Sequence, residues 1–247
     1  MNLDALPAPL ERPDNTFSGQ TVEVLRELIL DGRLKSGERI NEVELSNALG
    51  ISRGPLREAI QHLRSQGLLV TISHRGAFVR TFSGRELSEL YEVRIALETH
   101  AVKLATSSIT KQAIAELRTM LAETEKSIAA DNNYPLDRDF HDRIVQLADC
   151  QALSDAVTDV HRKIHLARSR SGHESTRARR ALSDHREVLK HMSRGDGEGA
   201  AGVMAEHLRS SLQNALAILR GDEIPDSAHE LPATATRRRK VTNVATP

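Results

Sequence analysis

Gly50 and Gly67 bracket a short segment in which Leu56, Ile60 and Leu63 recur at helical spacing. Asn41, followed three residues later by Glu44, opens another short helix that must end at Gly50. Two helices this short cannot each bury an apolar face alone. They have to fold against one another across the turn, with Leu45, Leu49 and Ile51 as the contacts. Ser52 caps the second of them, which runs from Arg53 to Gln66 with Pro55 tolerated in its first turn. Upstream, Val22, Leu25, Leu28 and Ile29 share one face of a helix from about Gly19 to Asp31, and Leu34–Ile40 reads as a turn and short strand. Downstream, Leu68–Ile72 and Ala77–Thr81, split by Ser73-His74-Arg75-Gly76, predict a β-hairpin. This order, three helices and then a hairpin wing, is that of a winged helix-turn-helix.

Beyond Phe82 the pattern changes to long amphipathic stretches. Ser83 with Glu86 repeats the capping signal before a helix to about Thr106. Further helices are expected over 110–130, 134–148, 151–171, 175–194 and 197–220, six in all. Aromatic residues make up 2% of the 247 and Trp is absent, so the core must be built from Leu, Ile, Val and Ala, which suits packed helices better than strands. The expected fold is mainly α: a winged helix-turn-helix over 17–82 followed by an all-α antiparallel helical bundle over 83–221, each with enough chain for its own core. Residues 1–16 read as a flexible arm. Residues 222–247, with Arg237-Arg238-Arg239-Lys240, read as a disordered basic tail. No run is long and apolar enough to span a bilayer, no secretory pattern opens the chain, and Cys150 is its single cysteine. A cytoplasmic protein with no membrane partner is expected.

The formal net charge is zero, yet residues 51–80 hold Arg53, Arg57, Arg64, Arg75 and Arg80 against one acid, Glu58. A phosphate backbone responds to charge within about 10 Å, so this local excess counts for more than the total. Arg53 and Arg57 lie near the start of the third helix, the part of a recognition helix that reaches base edges. The planar fork of arginine pairs bidentately with guanine. Ser52 and the free N–H groups at that helix start suit a phosphate. The hairpin tip, His74-Arg75-Gly76, offers a small cationic wing.

A second constellation lies in the bundle. Asp137 and His141 are four apart on one expected helix and share a face, while His185 and His207 sit on later helices. One carboxylate and three imidazoles suit a borderline divalent cation, with positions open to water or a ligand. His161 and His165 form a competing pair at the same spacing.

The stretch SGERINEVELSNALGISRGPLREAIQHLRSQGLLVTISHRGAFV closely resembles the DNA-binding domain of the GntR family, over about residues 17–82. The resemblance implies that Arg53 and Arg57 contact bases or phosphates and that His74–Gly76 enters the minor groove. Val43 stands where the fatty-acid-responsive FadR branch has a base-contacting arginine, so that branch's operator does not carry over. Residues 84–220, through LYEVRIALETHAVKLA, LDRDFHDRIVQLA and SDHREVLKHMSRGDGEGAAGVMAEHL, resemble the FCD effector-binding domain of FadR-like members. Its metal-binding type implies Asp137, His141, His185 and His207 as ligands, with His161 and His165 outside the site. Zinc is the first expectation, and nickel, manganese or iron also fit such donors. Arg94, in LYEVR, falls where the family often has an arginine near the pocket. It would complement a small carboxylate effector unless Glu98, one turn on, pairs with it.

The chain is therefore expected to be a homodimeric repressor on double-stranded operator DNA, relieved by a small carboxylic acid bound at the metal. One alternative is a regulator whose effector is the cation itself. Another is a metal-dependent hydrolase, against which stands the lack of a general base in the matched motifs.

Overall fold

The computed structural model describes residues 17–131, 138–168 and 175–221. Asn41 and Ser83, both read as caps, start helices as expected. Asn41 Oδ1 accepts the Glu44 N–H at 3.3 Å and opens α2 (Glu42–Leu49). Gly50 ends that helix with φ +64°, a left-handed conformation that costs a residue with a Cβ about 1–2 kcal/mol. α1 (Phe17–Leu30) precedes it, and α3 (Arg53–Ser65) follows with Leu56, Ala59, Ile60 and Leu63 buried. Ser52 occupies the N-cap of α3 with extended backbone, but its hydroxyl makes no capping bond.

β1 (Leu69–Ile72) and β2 (Gly76–Val79) form the antiparallel hairpin, with Leu69 opposite Val79 and Ile72 opposite Gly76. The strand expected within 34–40 is reduced to a single bridge between Arg39 and Phe78. Gly37, at φ +82°, turns the chain just before it, and Asn41 starts α2 just after it. Between them this segment still lies along β2, with Ile40 N–H on Ala77 O at 2.8 Å and Val79 N–H on Glu38 O at 2.9 Å.

α4 (Gly84–Ser108) starts from a complete capping box, Ser83 and Glu86 each accepting from the other's backbone N–H. Among the described residues five more helices follow: α5 (Lys111–Asp131), α6 (Arg138–Leu147), α7 (Gln151–Arg168), α8 (Ser175–Ser193) and α9 (Gly197–Gly221). α4 packs along α9, with α6 and α7 also against it, while α8 lies between α5 and α9. One apolar cluster, with Val102, Leu117, Ile144, Val188, Met192 and Met204, fills this bundle.

A second cluster crosses from the hairpin unit into the bundle. It joins Leu25, Ile29, Leu56 and Leu63 to Leu87 and Tyr91 of α4, Ile164 and Ala167 of α7, and Leu212 and Ala215 of α9. The sequence reading gave each half a core of its own. The bundle has the first cluster to itself, and the winged unit shares the second with it, where α7 lies against α1.

Candidate metal centre and nucleic-acid interface

The residues read as DNA contacts lie at the surface of the hairpin unit. Ser52, Arg53, Arg57, His74, Arg75 and Gly76 are exposed, and Pro55 is half-buried. Arg57 donates its Nε–H to Glu42 Oε2 at 2.8 Å, with its side chain 65% exposed. His74 and Gly76 take φ of +60° and +99°, folding the hairpin tip tightly. Arg75 stands 5.6 Å over the Phe78 ring. A Cβ at Gly76 would lie 3.6 Å from Arg39 Nε, so that exposed guanidinium sits beside the tip. Sequence reading passed over both Glu42 and Arg39. Only the bridge to Phe78 and the approach of α2 to α3 bring them there.

In the bundle, His141 on α6, His185 on α8 and His207 on α9 come together in the interior, with at most 4% of any of them exposed. His185 Nε2 lies 3.1 Å from His141 Nε2 and 3.3 Å from His207 Nε2. Nitrogens about 2.0–2.1 Å from one zinc ion, at angles from perpendicular to tetrahedral, stand about 2.8–3.4 Å apart. Both separations from His185 meet that requirement, and the donor atoms of all three rings lie within 4.8 Å of one another. Phe140 stacks on His185 with ring centroids 4.4 Å apart and walls one side.

Two of the rings are held by acids behind them. His141 Nδ1 donates to Glu98 Oε2 at 2.5 Å, and His207 Nδ1 donates to Asp184 Oδ2 at 3.2 Å. A carboxylate only accepts, so in the neutral ring each such bond leaves the lone pair on Nε2, facing the cluster. This backing aims two of the three buried imidazoles, His141 and His207, at a shared cation position, with His185 between them. Asp137, the expected fourth ligand, lies outside the described residues.

Glu98 is the hub of the network. Its Oε1 accepts from Arg94 Nε at 2.5 Å and from His161 Nε2 at 2.7 Å. Burial would push its carboxyl up, but the Arg94 charge and the bonds from His141 and His161 outweigh that and hold it well below the usual carboxylate range. His161 is raised: burial pulls it down, while bonds to Asp142 and Glu98 more than offset the loss. Arg94 is thus not a solvated arginine. It is 5% exposed and spends its Nε on Glu98. His161, expected outside the site, is one bond removed from it.

Residues 17–79 match the family described as "Bacterial regulatory proteins, gntR family", and residues 89–210 match the one described as "FCD domain". The Nta operon transcriptional regulator of Aminobacter aminovorans is 38% identical over 196 residues, covering 76% of this chain and 89% of that protein. The chain belongs to the GntR family. Another GntR-type relative, the HTH-type transcriptional repressor RspR of Escherichia coli K12, is 26% identical over 80% of this chain and 88% of its own. The E. coli McbR/YncC structure shares the fold, with a TM-score of 0.68 at 22% identity over 82% of this chain and 98% of that one. This GntR protein is a DNA-binding transcriptional regulator with an FCD domain. Its relatives are regulators rather than enzymes, which sets the hydrolase reading aside. No helix among the described residues is long and apolar enough to cross a membrane.

Proposed function

We propose that this regulator is a homodimeric repressor whose hold on its operator is set by a small carboxylic acid bound at a metal ion in the FCD domain. The observation that carries the proposal is the convergence of the His141, His185 and His207 Nε2 atoms within a buried, acid-backed cluster. Those three residues would hold the ion, with Asp137 as the fourth ligand that the family resemblance supplies. Zinc suits the donors best, and nickel, manganese or iron would also be accepted. When bound, the ion supplies positive charge and open positions for an anionic effector.

On the DNA side, Arg53 and Arg57 read base edges, Ser52 and the start of α3 hold a phosphate, and His74–Gly76 meets the minor groove. A two-fold dimer matches a near-palindromic operator. An effector favouring the FCD arrangement that misplaces the two reading helices weakens binding by its differential affinity for the two states.

Arg94 bears on a second reading. Its Nε already serves Glu98, so less of its guanidinium is left for an organic acid, and this favours the cation itself as effector. Metal analysis, a thermal-shift screen of small carboxylic acids, and binding to the chain's own upstream DNA test both. An acid that shifts melting only in metal-loaded protein and releases the DNA supports the first reading. Release by metal alone supports the second. A wild type that takes up no metal sinks both.

A further inference from the structure

We propose that His161 is the positioning residue through which occupation of the histidine cluster reaches the DNA-reading unit, by way of Glu98 and helix α7. The inference rests on the reading that the cluster holds a metal ion. Glu98 has both oxygens committed, Oε2 to His141 and Oε1 to His161 and Arg94. Being 1% exposed, it has no water to turn to. A shift of the His141 ring on binding a cation must therefore move Glu98, and Glu98 must move its other partners. His161 also reaches Asp142, next to His141 on α6, at 3.2 Å. Both of its ring nitrogens thus face acids that flank the site.

What His161 feels, α7 carries. Ile164 lies three residues on, about 4.5 Å along the axis of a stiff helix. With Ala167 it enters the apolar cluster that contains Leu25 and Ile29 of α1. The Lys163 stem lies where a Cβ on Gly67, just past the end of α3, would meet it at 3.2 Å. α7 supplies none of the three clustered histidines; besides its packing on α4 and α6, the polar bonds of His161 to Glu98 and Asp142 register it on the site. α4 and α9 also cross into the shared cluster. A signal through them would not depend on His161, and that difference is what the test uses.

The experiment is hydrogen exchange on the full chain, stripped of metal and then given zinc alone, for wild type, His161→Gln and His161→Leu. A glutamine amide can still donate to Glu98, and a leucine cannot. Zinc is expected to slow exchange in α1 and the C-terminal half of α7 at least about fivefold in wild type and in the glutamine variant. In the leucine variant zinc still binds and protects α6, α8 and α9, while α1 no longer responds. Equal protection of α1 in the leucine variant would overturn the assignment, as would a wild type in which zinc protects the bundle but never α1. A wild type that binds no zinc removes the metal reading itself and this inference with it. Should the leucine variant not fold, His161→Asn, too short to reach Glu98, takes its place.

Discussion

Arg57 and Glu42 are joined across the helix-turn-helix, the Arg57 Nε–H donating to Glu42 Oε2 at 2.8 Å. The bond takes the Nε edge of the guanidinium and leaves the side chain 65% exposed. On the proposed reading, an arginine steadied in this way would lose less side-chain freedom on meeting a guanine, and the pair would serve selectivity more than strength.

Arg53→Ala and Arg57→Ala should each weaken operator binding by about 1–3 kcal/mol while leaving the melting temperature unchanged. Glu42→Ala should act differently. It removes a charge that repels phosphate, so binding to random DNA rises as the ratio of operator to random affinity falls. Fluorescence anisotropy at two salt concentrations measures both quantities. Intact discrimination in Glu42→Ala would show that the pair only braces the fold.

His185→Ala and His207→Ala should abolish metal uptake, expected in wild type at about one ion per chain. They should also lose the stabilisation that metal confers, about 2.7 kcal/mol at a hundredfold excess over Kd. His191, at the end of α8 and bonded to Asp196 at 2.7 Å, is the control, and His191→Ala should bind metal as wild type does. Elemental analysis with thermal melts reads both effects.

Glu98→Ala should destabilise the protein by about 3–5 kcal/mol, since it removes the buried countercharge of Arg94 and the acceptor for two histidines. Glu98→Gln should cost less, because the amide oxygen still accepts one bond. Urea unfolding monitored by circular dichroism gives the ranking. An alanine variant as stable as wild type would mean that Arg94 finds other compensation.

Glu86 gives a pH dependence with a definite sign. Burial would raise its carboxyl, but the Ser83 N–H, the Arg80 guanidinium and the Ser83 hydroxyl together hold it below its ordinary value of 4.5. Its contribution to the start of α4 is then present above that value and lost as pH falls through the lowered one. Melting temperatures of wild type and Glu86→Gln should differ at neutral pH and converge in acid. A gap that stays constant with pH would refute the role of the charge.

Gly67 has φ +72°, and a Cβ there would lie 3.2 Å from Lys163 Cε and 3.3 Å from Arg80 Nη1. Gly67→Ala should cost about 1–2 kcal/mol from backbone strain alone, since both neighbours are long side chains able to move aside. Denaturation midpoints at unchanged m-value measure it.

Much of this protein was legible residue by residue. Asn41 with Glu44 and Ser83 with Glu86 announce helix starts because a cap needs only neighbours three positions apart. Gly50 and Gly67 announce stops because backbone conformation is a local property. The order of elements over 17–79 then follows, and the family resemblance named the DNA-reading residues and the metal-type histidines. The strand expected near Arg39 failed for an equally local reason, since Gly37 and Asn41 leave it no length.

Tertiary structure decided the rest. His141 stands 44 residues from His185, which stands 22 from His207, and no periodicity spans such gaps. The contact of their Nε2 atoms depends on α6, α8 and α9 packing around one interior. Glu98 and His161 are 63 apart and read singly as an ordinary acid and a stray histidine. Burial changes their meaning: a charge removed from water must be met by whatever the fold brings beside it, and here that is Arg94, His141 and His161.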